Sequence, residues 1–176
     1  PHAVEIARKH SVAPVVTYGI DESAVYRARD AEFGGGGVRF YIEEPGGDTA
    51  VVTMAMSGMH NVENAAGVWA AARSLGLGPD AVAAGLASFL GVKRRQEPRG
   101  YVGGVLVIDD FAHHPTAVHE TIAGIRQRYR DRRLWAVFEP RSNTSRRNIH
   151  QKEYAEAFDG ADVVTIRLPE PHGQVP

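Results

Sequence analysis

An α/β fold is predicted: a strand-rich unit with two helices, followed by a Rossmann-like unit built on a parallel sheet. Two observations predict it. Residues 12–57 carry four short apolar runs punctuated by glycine and proline turns, and three apolar runs near 107, 136 and 165 alternate with helical stretches. Strand–helix–strand spacing of that kind suits right-handed crossovers between parallel strands. The length agrees: 176 residues, 43% of them hydrophobic, with 19 glycines and 10 prolines spread along the chain, make one domain or two small ones.

The strand-rich part reads in order as Val15–Tyr18, Val25–Ala28, Val38–Ile42 and Ala50–Met56. Gly34–Gly37 and Glu44–Asp48 separate the last three as consecutive hairpin strands. A helix is expected from Asn61, its candidate N-cap, to Leu75, with Val62, Ala65, Ala66, Trp69, Ala72 and Leu75 on the apolar face and Gly76 as the stop. A second begins at Pro79 and turns Val82, Leu86 and Phe89 inward until Gly91. After Lys93-Arg94-Arg95 the pattern changes, and a domain boundary is placed near residue 95. A hairpin follows, Tyr101-Val102 joined through Gly103-Gly104 to Val105–Ile108. Then come a helix over 115–129, a strand over 134–138, a helix over 152–158 and a strand over 163–168.

Composition excludes several classes. The net charge of −1, from 20 Lys+Arg against 21 Asp+Glu, gives no overall field for nucleic acid or an anionic membrane. The absence of cysteine removes disulfides, thiolate metal centres and a cysteine nucleophile. No run approaches the roughly 18 apolar residues needed to cross a bilayer. Neither GxxxxGK[ST] nor GxGxxG occurs, and no Ser–His–Asp pattern or GxSxG is present.

In open parallel sheets, ligands bind beyond the carboxyl ends of strands. Two loops hold that position. In Asp109-Asp110-Phe111-Ala112-His113-His114-Pro115-Thr116, two carboxylates end a strand and two imidazoles precede a helix. Asp110 either accepts hydrogen bonds from a ribose diol or caps its own turn; adjacent His113 and His114, with only His119 at helical spacing, are weak metal ligands. In Glu139-Pro140-Arg141-Ser142-Asn143-Thr144-Ser145-Arg146-Arg147, guanidiniums and short polar donors suit carboxylates or phosphates, with Arg141 best fixed beside Pro140. Asn64, one turn into the first helix, carries an amide able to read an adenine edge.

Taken together, His60-Asn61-x-x-Asn64-x-Ala66, Gly91-Val92-Lys93-Arg94-Arg95, Asp109–Thr116 and Glu139–Thr144 resemble the motifs of the Mur ligase family, in the same order and spacing. These are ATP-dependent ligases of the cell-wall precursor peptide. The resemblance spans about Gly58 to Thr144. It implies that residues 1–95 are the carboxyl-terminal part of the central ATPase domain and residues 96–176 most of the carboxyl-terminal domain. It also implies a cytoplasmic protein with no nucleic-acid or membrane partner. Asn64 would contact adenine with Asn61 shaping the pocket, Arg95 would reach the ATP phosphates, and Asp110 would hold the ribose. His114 would line the cleft by the reacting groups, while His113, Arg141, Ser142 and Asn143 would face the incoming peptide. The phosphate loop and magnesium ligands are expected upstream of residue 1, so the fragment alone is expected to be inactive. DDFAHHPT with EPRSNT looks most like the branch that joins UDP-N-acetylmuramate to the tripeptide L-alanyl-γ-D-glutamyl-meso-diaminopimelate in peptidoglycan recycling, through an acyl phosphate. The alternatives are the ligase that uses L-alanine as acceptor, and a non-catalytic nucleotide- or peptide-binding module.

Overall fold

Alternation from Val38 to Glu43 turns Val38, Phe40 and Ile42 inward, and the segment is an interior strand of the first sheet. The computed structural model describes residues 2–140 and 150–168. The chain divides into two units, one ending at Leu90 and the other starting at Gly91. The first contains α1 (His2–His10), β1 (Tyr18–Gly19), β2 (Tyr26–Gly34), β3 (Gly37–Glu43), β4 (Thr49–Met54), α2 (Met59–Ser74) and α3 (Pro79–Ser88). Its sheet order is β1-β2-β3-β4, with β2, β3 and β4 joined as antiparallel hairpins. Both expected turns are where the glycines placed them.

Several details differ from the sequence reading. The expected strand over 15–18 shrinks to two residues, which pair parallel to β2. β2 runs on to Gly34 through a bulge, in which Asp30 takes a φ of 53° and the register shifts between Arg29 and Glu32. Asn61 is not an N-cap: α2 starts two residues earlier, behind Gly58 at φ 99°. Leu75 and Phe89 are exposed, because each is the capping residue just past the end of its helix. α1, which carries no buried residue, left no apolar signal to read.

The core of this unit gathers Val38, Phe40, Ile42, Val52 and Met54 against Val62, Ala65, Ala66 and Trp69 of α2. Trp69 is completely buried. Its indole Nε1 donates to Glu44 Oε1 at 2.8 Å, which satisfies the one polar atom of the ring. Arg73 Nε donates to the same oxygen at 2.9 Å, so a half-buried carboxylate serves two donors of one helix.

The second unit contains β5 (Glu97–Val102), β6 (Val105–Asp109), α4 (Pro115–Arg128), β7 (Trp135–Phe138), α5 (Gln151–Ala157) and β8 (Val163–Ile166). β5 and β6 form the expected hairpin, with Gly103 and Gly104 at φ 56° and 83° in the turn. β7 and β8 pair in parallel. β6 does not join them among the described residues. A cleft of about 550 Å³ is lined instead by Leu106 and Ile108 of β6, by Ile125 of α4, by Tyr129 just past that helix, and by Trp135 and Val163. Crossover spacing fixes the sense of neighbouring strands, and it leaves open whether two of them close to bonding distance. Val118, Ile122, Ala157 and Phe158 form the core beneath β7. Trp135 lies on the opposite face and is exposed.

An ion pair ties this unit's connections together. Asp162 Oδ2 accepts from Arg126 Nη2 and from the Leu134 backbone N–H, both at 2.6 Å. The Arg126 hydrogen bond, then the Leu134 N–H, hold the Asp162 carboxyl below its ordinary value of 3.8. A depressed value means stability that is present above the ordinary range and is lost as pH falls through the folded value. Asp162→Asn is therefore expected to melt earlier than the parent chain at pH 7, with the gap closing below pH 3.8. Thermal melts across that range measure it, and solvent screening keeps the effect modest.

Candidate functional site

The apolar run of β6 ends at Asp109, and the next five residues turn the chain into α4. Asp110 organises that turn. Its Oδ1 accepts from the Ala112 N–H at 2.7 Å and from the Thr121 hydroxyl at 3.3 Å, while Oδ2 accepts from the Gln96 N–H at 2.8 Å. Of the two readings of Asp110, the turn cap is visible here. A carboxylate has about four lone-pair positions, so capacity for one further donor remains.

His114 is the N-cap of α4 and Pro115 its first residue, where the missing N–H costs nothing. His113 sets Nδ1 3.0 Å from the Phe111 carbonyl oxygen and its ring edge-on to Phe111. Both imidazoles are exposed. From α5, Tyr154 donates its hydroxyl to the His113 carbonyl at 2.5 Å. His150, just before α5, meets the His114 ring at a centroid distance of 5.1 Å and lies 3.6 Å from Glu153. Glu153 is held below the usual carboxylate range, first by its own backbone N–H and, against burial, by His150 and His114.

Arg95 joins the same cluster. Its guanidinium stands over the Phe111 ring at 5.9 Å, beside that of Arg94 at 4.9 Å. The Phe111 N–H donates to the Arg94 carbonyl at 2.9 Å, so the basic turn and the strand-end loop are stitched together by backbone. Arg95, Asp110, His113 and His114 thus share one end of the second unit. Asn61 and Asn64 belong to the first unit. Asn61 is buried and donates Nδ2 to the Ser57 carbonyl at 2.7 Å, bracing the start of α2, whereas Asn64 is exposed. Arg141, Ser142 and Asn143 lie outside the described residues. His150, Glu153, Tyr154 and Gln96 were not singled out from sequence; only the i, i+3 spacing of His150 and Glu153 could have hinted at a pair.

Among the described residues, no three His, Cys, Asp or Glu side chains converge to hold a metal. No described residue is assigned to magnesium. No described helix is long and apolar enough to cross a membrane.

A carboxylate, two imidazoles and a stacked guanidinium thus gather beyond the carboxyl end of β6, the position at which open α/β sheets bind ligands. Residues 94–174 match the model of the family described as "Mur ligase, glutamate ligase domain". Members of that family are ATP-dependent ligases that form C–N bonds. Across 152 residues the chain is 37% identical to the UDP-N-acetylmuramate–L-alanine ligase of Salinibacter ruber, which covers 86% of this chain and 32% of that protein. The solved UDP-N-acetylmuramate-alanine ligase of Thermotoga maritima superposes with a TM-score of 0.74 at 25% identity, over 86% of this chain and 33% of that one. The solved murein peptide ligase of Psychrobacter arcticus does so with a TM-score of 0.61 at 39% identity, over 92% and 34%. The chain therefore spans about a third of the length of the curated relatives it matches.

Proposed function

We propose that these residues serve an ATP-dependent ligase of peptidoglycan synthesis, a cytoplasmic enzyme that joins UDP-N-acetylmuramate to an amine through an amide bond. The observation that carries this reading is the gathering of Arg95, Asp110, His113 and His114 at the strand end, in a segment that matches the ligase family. ATP, with magnesium held outside the described residues, supplies activation of the acid. Arg95 offers a guanidinium to its phosphates, and Asp110 keeps one acceptor position for the ribose. His114 is the side chain assigned to line the cleft beside the reacting groups. His113 and residues 141–143 are the part assigned to the acceptor.

L-Alanine is the acceptor that the curated relatives favour, since the ligase of Salinibacter ruber carries that name. This reverses the preference drawn from the motifs, which pointed to the tripeptide. The tripeptide stands as the second reading because the 39% identity to a murein peptide ligase favours it. Phosphate release by the complete gene product, with ATP, magnesium and UDP-N-acetylmuramate, decides between them. Release is expected with L-alanine and not with the tripeptide; the opposite pattern establishes the second reading, and release with neither overturns the ligase assignment.

A further inference from the structure

Three features crowd into the three residues before β5. Arg94 and Gln96 both hold left-handed backbone, at φ 60° and 49°, although neither is glycine. Gln96 Nε2 is buried with no partner among the described residues. Between them stands Arg95, exposed and directed over Phe111. Left-handed conformations and unsatisfied buried groups cost stability, and they persist where the surroundings over-determine them. Here the surroundings include three specific bonds, besides the Arg95 N–H that donates to the Val92 carbonyl at 3.0 Å. The Gln96 N–H donates to Asp110 Oδ2 at 2.8 Å, the Arg94 N–H to Glu97 Oε2 at 2.9 Å, and the Phe111 N–H to the Arg94 carbonyl at 2.9 Å.

We propose that Asp110 is a positioning residue for Arg95: its carboxylate clasps the Gln96 N–H and locks the strained 94–96 turn that aims the guanidinium at the ligand. The inference rests on the reading of Arg95 as a phosphate contact. It gives Asp110 a task separate from holding a ribose, and it gives Gln96 a role through its backbone alone.

The test pairs two variants that strike the turn from opposite sides. Gln96→Val leaves Asp110 intact but puts a β-branched side chain at φ 49°. Asp110→Asn exchanges one of the two acceptor oxygens for an NH2 group. In the complete gene product each is expected to raise KM for ATP about 10-fold with kcat nearly unchanged. Adding Gln96→Gly to Asp110→Asn is expected to recover at least about a third of the loss, because glycine holds the turn without the clasp. An Asp110 that only touched a ribose would leave the double variant unrescued, and that result overturns the proposal; a harmless Gln96→Val would equally show that the turn does not aim Arg95. In the 176-residue chain, hydrogen exchange at the Gln96 amide is read without any turnover. It is expected to speed up about 10-fold or more in Asp110→Asn; unchanged exchange also overturns the clasp. A gene product that turns over no ATP would refute the ligase reading, while the exchange result would still decide the turn.

Discussion

Gly37→Ala is expected to unfold the first unit. Gly37 opens β3 at φ 124°, and a Cβ there would sit 2.0 Å from the Met54 carbonyl oxygen and 2.8 Å from Ala55 Cα. Both obstacles are backbone, so no side chain can swing aside, and β3 would have to leave the ladder that pairs Val38 with Met54. Overlap on that scale, added to strain at positive φ, costs about 4 kcal/mol or more, a large share of the 5–15 kcal/mol that holds a typical domain. Far-UV circular dichroism on heating measures it. Gly36→Ala is the control: nothing lies within 4 Å of its added Cβ, and its melting curve should stay within a few degrees of the parent. Equal melting of both variants would show that β3 and β4 do not approach as described.

The second large effect concerns ligand binding. Arg95→Ala in the complete gene product is expected to lower kcat/KM for ATP about 100-fold, or about 3 kcal/mol, the scale of a charge-assisted contact to a phosphate. Arg95→Lys should fall between, because an ammonium keeps the charge and loses the planar fork that stacks on Phe111. Steady-state kinetics with varied ATP measures both. Full activity in Arg95→Ala would remove this residue from the site and leave Asp110 and the histidines to carry it.

Much of the first unit was legible because its signals are local. The glycines at 34–37 and the segment 44–48 demand turns, and the spacing of Val62, Ala65, Ala66 and Trp69 demands a helix with one buried face. What escaped notice lacks a local signature. The bulge at Asp30 is a compromise between two strands, visible only when Arg29 and Glu32 are matched to their partners Tyr41 and Arg39. The site divides the same way. Asp110, His113 and His114 stood out because carboxylates and imidazoles at a strand end are unusual. Tyr154 reaches the His113 carbonyl across 41 positions of sequence, and the left-handed turn at Gln96 leaves no trace in residue type. The strand–helix alternation of the second unit was equally readable, but the gap between β6 and β7 arises from contacts that no spacing rule contains.

The two tryptophans fall one to each unit and in opposite surroundings, Trp69 sealed under the first sheet and Trp135 open on the face of β7. A shielded indole emits at shorter wavelength and ignores a dissolved quencher, whereas an open one emits to the red and is readily quenched. The molecule thus carries a separate optical reporter in each half. Blue-side emission follows the loss of the first core, quencher sensitivity follows the exposed face of the second, and one sample without labels tells which half gives way first.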